Sequence, residues 1–294
     1  MLGPLHFTGV FWYRGLAFGA RRSELFKQVM LPITTAFFFL FLHGIRRAVT
    51  VNLAAALGPT GFPARQRRVW RTLHCFAWSQ AERYERLMTD LPFVVESVDR
   101  AEWERSSTAG SGLILVTGHV GNWETASTLP ATDEGRVIHV VREEELDPKA
   151  QQWVADRLRV RLGGGYHTHF AHDDPFLGLA LREALERGDV VALQGDRPRK
   201  GGGAVEVELF GRPYALPVGP LVLARQTGVP LLPAFVHRTG RRRYQVVFHP
   251  PIEVARSGDR RADLLAAGRH LAAELEAAIL RTPHQWYVFR ALWR

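Results

Sequence analysis

The sequence predicts an α/β domain in which a mostly parallel β-sheet is flanked by helices. Short, continuous apolar runs at residues 113–116 and 190–193 have the length and composition of strands that are buried on both faces. Helical patterns alternate with such runs along the chain, which is typical of βαβ units. With 294 residues and 46% hydrophobic content, the chain is long enough for one such domain and an N-terminal appendage.

The individual elements follow from apolar periodicity. Apolar residues at helical spacing predict an amphipathic helix over 64–88, whose first turns are rich in arginine. Further helices are predicted from about 123 and over 148–162, 175–187, 218–227 and 260–280. Strands are predicted over 113–117, 137–141, 190–193, 205–209, 231–236 and 244–248. We divide the chain into an N-terminal membrane-associating segment, 1–48, and the α/β domain, 49–294.

The N-terminal segment contains an apolar stretch over 29–45 that carries no full charge. Seventeen helical residues rise about 25 Å, which is the short limit for crossing a hydrocarbon layer of about 30 Å. Lys27 precedes the stretch, and Arg46 and Arg47 follow it, so charge gives no orientation bias. These features favour a helix that lies in a membrane leaflet over one that crosses it; a buried core helix is the third interpretation.

Charge and cysteine content narrow the classes of partner. Thirty-eight Lys and Arg against 29 Asp and Glu give a net charge of +9, and most of the cations are arginines, which suit phosphate and carboxylate groups. A nucleic-acid partner is not expected, because no zinc-finger spacing, RNA-recognition signature or basic heptad accompanies the charge. The single cysteine, Cys75, excludes an intramolecular disulfide and lies inside a helical pattern.

The stretch from Gly118 to Glu124 follows the first buried strand and brings a histidine to its carboxyl end, where α/β proteins bind ligands. Glu124 lies near the start of the next helix, from which its carboxylate can reach His119. A carboxylate bonded to one imidazole nitrogen fixes the tautomer and stabilises the imidazolium, so the pair has the form of a general base with an orienting acid. No Ser or Cys nucleophile is built into the stretch, so the proton would come from the substrate. The alternative is a buried histidine beside an unrelated helix-start glutamate.

Several ordered motifs resemble the lipid A biosynthesis (late) acyltransferases and the related phosphatidylinositol mannoside acyltransferases. The resemblance rests on Gly118-His119-x4-Glu124, on 194–198 (QGDRP), on 207–212 (VELFGR), on 216–220 (LPVGP) and on 224–233 (ARQTGVPLLP). It implies an O-acyltransferase that moves a fatty acyl chain from acyl carrier protein or coenzyme A to a hydroxyl of a glycolipid or lipid A-like acceptor. It implies no cofactor, and it implies a location at the cytoplasmic face of a bacterial inner membrane, peripheral or held by a single N-terminal helix.

The resemblance also suggests roles for individual residues. Asp196 would lie near His119 as a second or alternative partner, and Arg197 would contact the transferred group or its oxyanion. Arg142 ends a core strand, so its guanidinium should project into the same crevice and bind a phosphate or headgroup. Further substrate contacts are expected from Arg199, which precedes the triple glycine 201–203, and, within the motif, from Asn122 and Trp123.

A cluster of histidines offers an alternative function. His167-x-His169-x2-His172 resembles the His-x-His-x-Asp-His box of metallo-β-lactamase-like hydrolases, and clustered His and Asp are typical of metal sites. Ala171 stands where that box has aspartate. The second hypothesis is therefore a metal-dependent hydrolase centred on these three histidines, whereas the acyltransferase hypothesis requires no metal.

Overall fold

The structure is a computed structural model, and it describes residues 10–107, 110–123, 136–143, 147–162, 165–170, 176–198 and 202–293. Seven strands form one sheet in the order β1-β9-β8-β2-β5-β3-β4, and neighbours in this order are parallel except for the antiparallel pair β8–β9. The strands are β1 Val94–Val98, β2 Leu113–Thr117, β3 Ile138–Arg142, β4 Tyr166–Phe170, β5 Val190–Gln194, β8 Leu231–Gly240 and β9 Arg243–Phe248. A separate antiparallel hairpin consists of β6 Ala204–Leu209 and β7 Arg212–Pro217.

The helices of the described residues are α1 Val10–Ala20, α2 Glu24–Phe41, α3 His43–Leu57, α4 Phe62–Met88, α5 Arg100–Ser106, α6 Pro148–Leu162, α7 Leu177–Glu186, α8 Gly219–Thr227 and α9 Arg260–Arg281. A short 3-10 turn, Pro283–Gln285, follows α9. The predicted class, a mostly parallel sheet flanked by helices, is confirmed. The predicted helix over 148–162 agrees with α6 at both ends.

The continuous apolar runs become strands because both faces of the sheet are covered. Ile114 and Val116 of β2 belong to the main core with residues of α3, α4, α7, α8 and α9. Leu113 faces the other way, into a second cluster against which Leu115 and Trp103 of α5 pack. A strand buried on both sides has no polar position to alternate with, so its sequence is uniformly apolar.

Three strands lie where the sequence pattern predicted none: β1, β4 and β7. Both β1 and β4 are outer strands of the sheet, and only partial burial is required of them. Their sequences, VVESV and YHTHF, mix polar with apolar residues and lack the continuous run that identified the central strands. β4 includes His167 and His169, so the first two histidines of the supposed metal-binding box lie in a strand.

The sequence predicts one helix over the apolar stretch 29–45, but the structure divides this stretch between two helices. Helix α2 begins at Glu24 and ends at Phe41, and α3 begins at His43 after a break at Leu42. Among the described residues, α2 is the one helix long and apolar enough to cross a membrane. The boundary placed between residues 48 and 49 falls within α3, and that division of the chain stays a prediction.

Helix α2 is attached to the rest of the protein along its length. Near its start, Lys27 is 4% exposed and forms an ion pair with Glu85 of α4. Farther along, the Thr35 hydroxyl lies 3.3 Å from His74 Nδ1, and Phe38 packs against the main core. The N-terminal helix α2 is therefore packed against α4.

Candidate active site

The site forms where the two central parallel strands β2 and β5 end. Thr117, the last residue of β2, pairs in register with Gln194, the last residue of β5. The ladder extends one step further, because Gly195 N donates to Thr117 O at 2.7 Å. His119 and Asp196 each lie two residues beyond the register pair, so the parallel pairing alone brings them to the same edge of the sheet.

His119 and Asp196 are joined by three contacts. Asp196 Oδ2 accepts from the His119 backbone N at 2.9 Å, and Oδ1 and Oδ2 lie 2.8 Å and 3.0 Å from His119 Nδ1. The carboxylate can only accept, so Nδ1 carries the hydrogen of the neutral imidazole and Nε2 is left as the basic nitrogen. Asp196 thus occupies the position of an orienting acid, and its carboxylate fixes both the ring and the backbone of His119.

Asp196 is 1% exposed, and burial alone raises the pKa of a carboxyl group. The charge of the His119 imidazolium, the hydrogen bonds from His119 and the nearby Arg197 guanidinium outweigh that burial and hold the pKa of Asp196 below its ordinary value. Asp196 is therefore ionised at neutral pH and can stabilise a proton on His119.

The Arg197 guanidinium lies against both ring nitrogens of His119, and its Nε is 3.2 Å from Nδ1. Its Nη2 donates to His119 Nε2, the nitrogen that Asp196 leaves free. A cleft opens at this edge of the sheet, and His119 and Arg197 are among the residues that line it. Arg142, at the end of β3, lines the same cleft, as its position at the strand end predicted. The cleft thus places the His119 imidazole beside Arg197 and, among the other arginines of its lining, Arg142, which suits a reaction in which negative charge develops next to a proton acceptor.

Trp123 and Asn122 follow His119 in the motif but occupy different environments. The Trp123 ring lies 4.7 Å from the His119 ring and lines the cleft. Asn122 is 4% exposed, and its amide nitrogen donates to Ser79 O and to the Tyr244 hydroxyl, both at 3.2 Å. Substrate contacts from either residue stay predictions, and the Asn122 amide nitrogen is already committed to the protein.

The turn that carries His119 is fixed on three sides. Gly121 N donates to Gln285 O at 2.7 Å, Asn122 N to Val236 O at 3.1 Å, and Tyr287 N to His119 O at 2.8 Å. Gly121 has φ of +63°, and a Cβ at this position would lie 1.7 Å from Val236 O. Only glycine fits so close to β8, which explains the second glycine of the motif.

Two predicted site residues, Glu124 and Arg199, lie outside the described residues, and their roles stay predictions. Tyr214 of β7, which the sequence reasoning missed, contributes to the site: its hydroxyl donates to Asp196 O. Burial and the neighbouring Asp196 raise the pKa of Tyr214, so the phenol stays protonated. A tyrosine in a hairpin carries no local signal of such a role, because the contact spans two separate parts of the chain.

The histidine cluster has a different arrangement from the predicted box. His169 Nε2 lies 2.9 Å from Nδ1 of His139 in β3, and His139 Nε2 lies 3.2 Å from Asp189 Oδ2. The His167 ring lies 4.6 Å from the His169 ring, and His172 is outside the described residues. No group of three or more His, Cys, Asp or Glu in the described part of the chain is arranged to hold a metal ion.

The fold and this edge of the sheet define an α/β protein with a buried histidine–carboxylate pair in an arginine-lined cleft. Comparison with known families identifies the class. The family model described as "Bacterial lipid A biosynthesis acyltransferase" matches residues 28–294. The chain therefore belongs to that family and is an acyltransferase, as the sequence motifs suggested, and the metal-dependent hydrolase hypothesis is wrong in its class of enzyme.

Individual relatives are named as the same class of enzyme. The chain is 29% identical over 271 residues to a phosphatidylinositol mannoside acyltransferase of Mycobacterium tuberculosis, an alignment that covers 85% of this chain and 78% of the relative. A protein of the same name from Mycolicibacterium smegmatis is 28% identical over 192 residues, which are 63% of this chain and 58% of the relative.

Proposed function

We propose that this acyltransferase is membrane-associated and transfers a fatty acyl chain from a thioester donor to a hydroxyl group of a glycolipid, with His119 as general base. The observation that carries the proposal is the contact of Asp196 with both Nδ1 and the backbone N of His119. This contact leaves Nε2 as the proton acceptor of a histidine that lines the cleft. The sequence-based prediction assigned the orienting role first to Glu124; we now assign it to Asp196.

The reaction proceeds by direct attack. His119 Nε2 takes the proton of the acceptor hydroxyl while the hydroxyl oxygen forms a bond to the thioester carbonyl carbon. The tetrahedral intermediate then collapses, the carbon–sulfur bond breaks, and the leaving thiolate takes the proton from the His119 imidazolium. Asp196 stabilises that imidazolium, and no acyl-enzyme forms, since no Ser or Cys side chain touches His119 among its described contacts.

Arg197 contributes in two successive positions. In the resting site its guanidinium donates to His119 Nε2, so the acceptor hydroxyl has to replace this contact before its proton can be removed. Once displaced, the guanidinium can donate to the carbonyl oxygen as it becomes an oxyanion. Arg142, in the same cleft, is suited to an anionic group of the donor or of the acceptor.

The acceptor and donor are assigned from the relatives and from charge. Relatives named phosphatidylinositol mannoside acyltransferase support a glycolipid acceptor. The net charge of +9 suits an acidic donor, either acyl carrier protein or coenzyme A.

Membrane association is supported by the exposed surface of α2. The helix carries a stripe of large apolar side chains that are exposed although the opposite side packs on α4: Leu25, Phe26, Val29, Met30, Ile33, Phe37, Leu40 and Phe41. Arg21 and Arg22 precede the helix, and Arg46 and Arg47 follow it. An apolar stripe with basic residues at both ends is typical of a helix that lies in the interface of an anionic membrane.

A helix in this position would lie along the membrane surface, at the cytoplasmic face of a bacterial inner membrane. Crossing the bilayer would require α2 to leave α4, which would separate Lys27 from Glu85 and leave the buried carboxylate with Arg242 as its remaining cationic partner. The attachment of α2 therefore favours the peripheral arrangement over a spanning one.

The catalytic proposal is tested with His119→Ala. Purified wild type and variant are incubated with acyl-coenzyme A or acyl carrier protein thioester and with a phosphatidylinositol mannoside, and thiol release and acylated lipid are measured. Loss of the general base should lower the rate by about 10²- to 10⁴-fold in a protein that still folds. Wild-type turnover by His119→Ala would overturn the mechanism.

The membrane proposal is tested with the double variant Ile33→Asp/Phe37→Asp, whose side chains are 55% and 49% exposed in wild type. Sedimentation with anionic phospholipid vesicles should fall at least about tenfold, since each apolar side chain contributes about 1.5–3 kcal/mol when buried. The control Val160→Asp/Leu280→Asp adds the same charge at exposed apolar positions outside the stripe and should sediment as wild type does. Equal sedimentation of all three proteins would exclude the stripe as the anchor.

A further inference from the structure

A buried hydrogen-bond chain links the turn that carries His119 to helix α4, and the reaction described above makes no use of it. Its members are Asn122, Tyr244 and Glu82, which are 4%, 1% and 1% exposed. Polar groups are costly to bury unless they are fully paired. A fully paired chain of this kind next to His119 is therefore expected to hold the surrounding backbone rigidly.

Glu82 is the fixed end of the chain. Arg238 donates to it through both Nε and Nη2, at 2.9 Å and 2.8 Å, and the backbone N of Arg242 donates to Oε1 at 3.1 Å. These three donors come from β8 and from the turn between β8 and β9. The carboxylate is therefore held to the sheet on which the turn carrying His119 rests.

Tyr244 connects Glu82 to Asn122 through its hydroxyl group. Its hydroxyl donates to Glu82 Oε2, and the same oxygen accepts from Asn122 Nδ2 at 3.2 Å. Burial and the charge of Glu82 raise the pKa of Tyr244, so the hydroxyl keeps its single proton. Because that proton goes to Glu82, the oxygen toward Asn122 can only accept, and the orientation of the contact is determined.

Asn122 completes the chain. One amide hydrogen goes to Tyr244 and the other to Ser79 O at 3.2 Å, so the side chain has one orientation. Its backbone N donates to Val236 O at 3.1 Å. Asn122 is three residues beyond His119, and holding its side chain and backbone limits how far the imidazole can move from Asp196.

We propose that Tyr244 is a positioning residue, which acts through Asn122 to hold the turn carrying His119 in the geometry that proton transfer requires. The inference rests on the proposed role of His119 as general base. Small displacements of a reacting group slow catalysis, and a shift of about 1 Å can lower the rate by up to about 10²-fold. Loss of one of the bonds that hold the turn should therefore lower kcat by about tenfold and leave the KM for the thioester donor unchanged.

The test compares Tyr244→Phe with Tyr84→Phe. The first variant keeps the ring and removes only the hydroxyl between Asn122 and Glu82. The second makes the same change at a tyrosine of α4 that is 2% exposed and packs on Tyr13 and Trp153, away from the turn. We expect a tenfold lower kcat with unchanged donor KM for Tyr244→Phe, and wild-type kcat for Tyr84→Phe. A purely structural role predicts lower melting temperatures with equal kcat.

A double-mutant cycle tests whether the effect passes through Asn122. If it does, Tyr244→Phe/Asn122→Ala has the same kcat as Asn122→Ala alone, because the second change has nothing left to disturb. Losses that multiply, an unchanged kcat in Tyr244→Phe, or a variant that fails to fold would each overturn the inference. His119→Ala is measured alongside: activity in that protein refutes the general base itself, whereas an inactive His119→Ala with a fully active Tyr244→Phe refutes only the positioning role.

Discussion

Replacement of Asp196 by asparagine tests the central contact of the site. Asp196 offers two acceptor oxygens to His119, one to the backbone N at 2.9 Å and one to Nδ1 at 2.8 Å. Asparagine has one acceptor and one donor in the same volume. If its oxygen binds the backbone N, its amide nitrogen faces Nδ1 and favours the tautomer that places the proton on Nε2. If it binds Nδ1, the amide nitrogen opposes the backbone N–H.

Either orientation removes the charge that stabilises the His119 imidazolium, and the first orientation also shifts the ring away from the tautomer with a basic Nε2. In a serine protease, the corresponding change from aspartate to asparagine lowers kcat by about 10⁴-fold. We expect a loss of about 10³- to 10⁴-fold for Asp196→Asn, which corresponds to about 4–5.5 kcal/mol of activation free energy. KM for the donor should change much less, because Asp196 is buried and is not among the residues that line the cleft.

The assay measures thiol release and melting temperature on the same preparations. Asp263→Asn is a matched control, since Asp263 is a buried carboxylate that accepts from Arg225 and Ser257 at the start of α9, outside the cleft. This control should lose stability and keep kcat, whereas Asp196→Asn should lose kcat. Near-normal kcat in Asp196→Asn would refute the assignment of Asp196 as the partner of His119.

The same contact predicts a pH dependence of stability. The pKa of Asp196 is depressed in the folded protein, so its contribution is complete above the unfolded-state value of about 3.9 and is lost as the pH falls through the folded value. Wild type should therefore lose more stability than Asp196→Asn when both are acidified below about pH 4. Parallel acid denaturation curves would contradict the depressed pKa.

Three further predictions concern other groups. Arg197→Lys keeps the charge but loses the planar fork, and kcat should fall by about 10²-fold; an unchanged kcat would exclude Arg197 from oxyanion binding. Glu124→Gln should lower kcat less than Asp196→Asn does, because Asp196 already holds Nδ1, and a larger loss would restore Glu124 as the orienting acid. Burial and the charge of Arg281 lower the pKa of His237 to about 4. The free energy of unfolding should therefore fall by up to about 3 kcal/mol between pH 6.5 and 4. His237→Asn should remove this dependence of the unfolding free energy on pH.

The acid sensitivity attributed to His237 follows from its surroundings. The residue is completely buried, and its Nδ1 lies 2.7 Å from the Thr282 hydroxyl. A neutral imidazole suits this position, whereas the unfolded chain takes up a proton near pH 6.5, so acidification favours the unfolded state. Denaturant titrations of wild type and His237→Asn at several pH values measure the difference directly.

Deletion of residues up to about 45 would be a poor test of membrane association. Removing residues up to about 45 would take Lys27 away from Glu85 and expose the side of α4 on which α2 packs. Loss of membrane binding by the truncated protein would then be mixed with partial unfolding. The surface variant Ile33→Asp/Phe37→Asp leaves those contacts in place and isolates the membrane contribution.

The class of fold and the position of His119 at the end of a central strand follow from the sequence. The apolar runs at 113–116 and 190–193 specify central strands because burial on both faces permits no other composition, and the motif from Gly118 follows directly after one of them. The same logic placed Arg142 at a strand end and therefore in the cleft. The outer strands β1 and β4 escaped prediction because partial burial leaves no uniform pattern.

The family resemblance suggested Asp196 as a partner of the histidine, but only the tertiary structure shows how the two residues meet. Asp196 is 77 residues from His119 along the chain, and the two meet because Thr117 and Gln194 pair across parallel strands. Helical proximity makes Glu124 the obvious candidate in the sequence, but no local pattern encodes the register of two strands. The network of Glu82, Tyr244 and Asn122 has the same origin: each contact joins distant segments, and its energy depends on burial that exists only once the sheet and α4 have packed together.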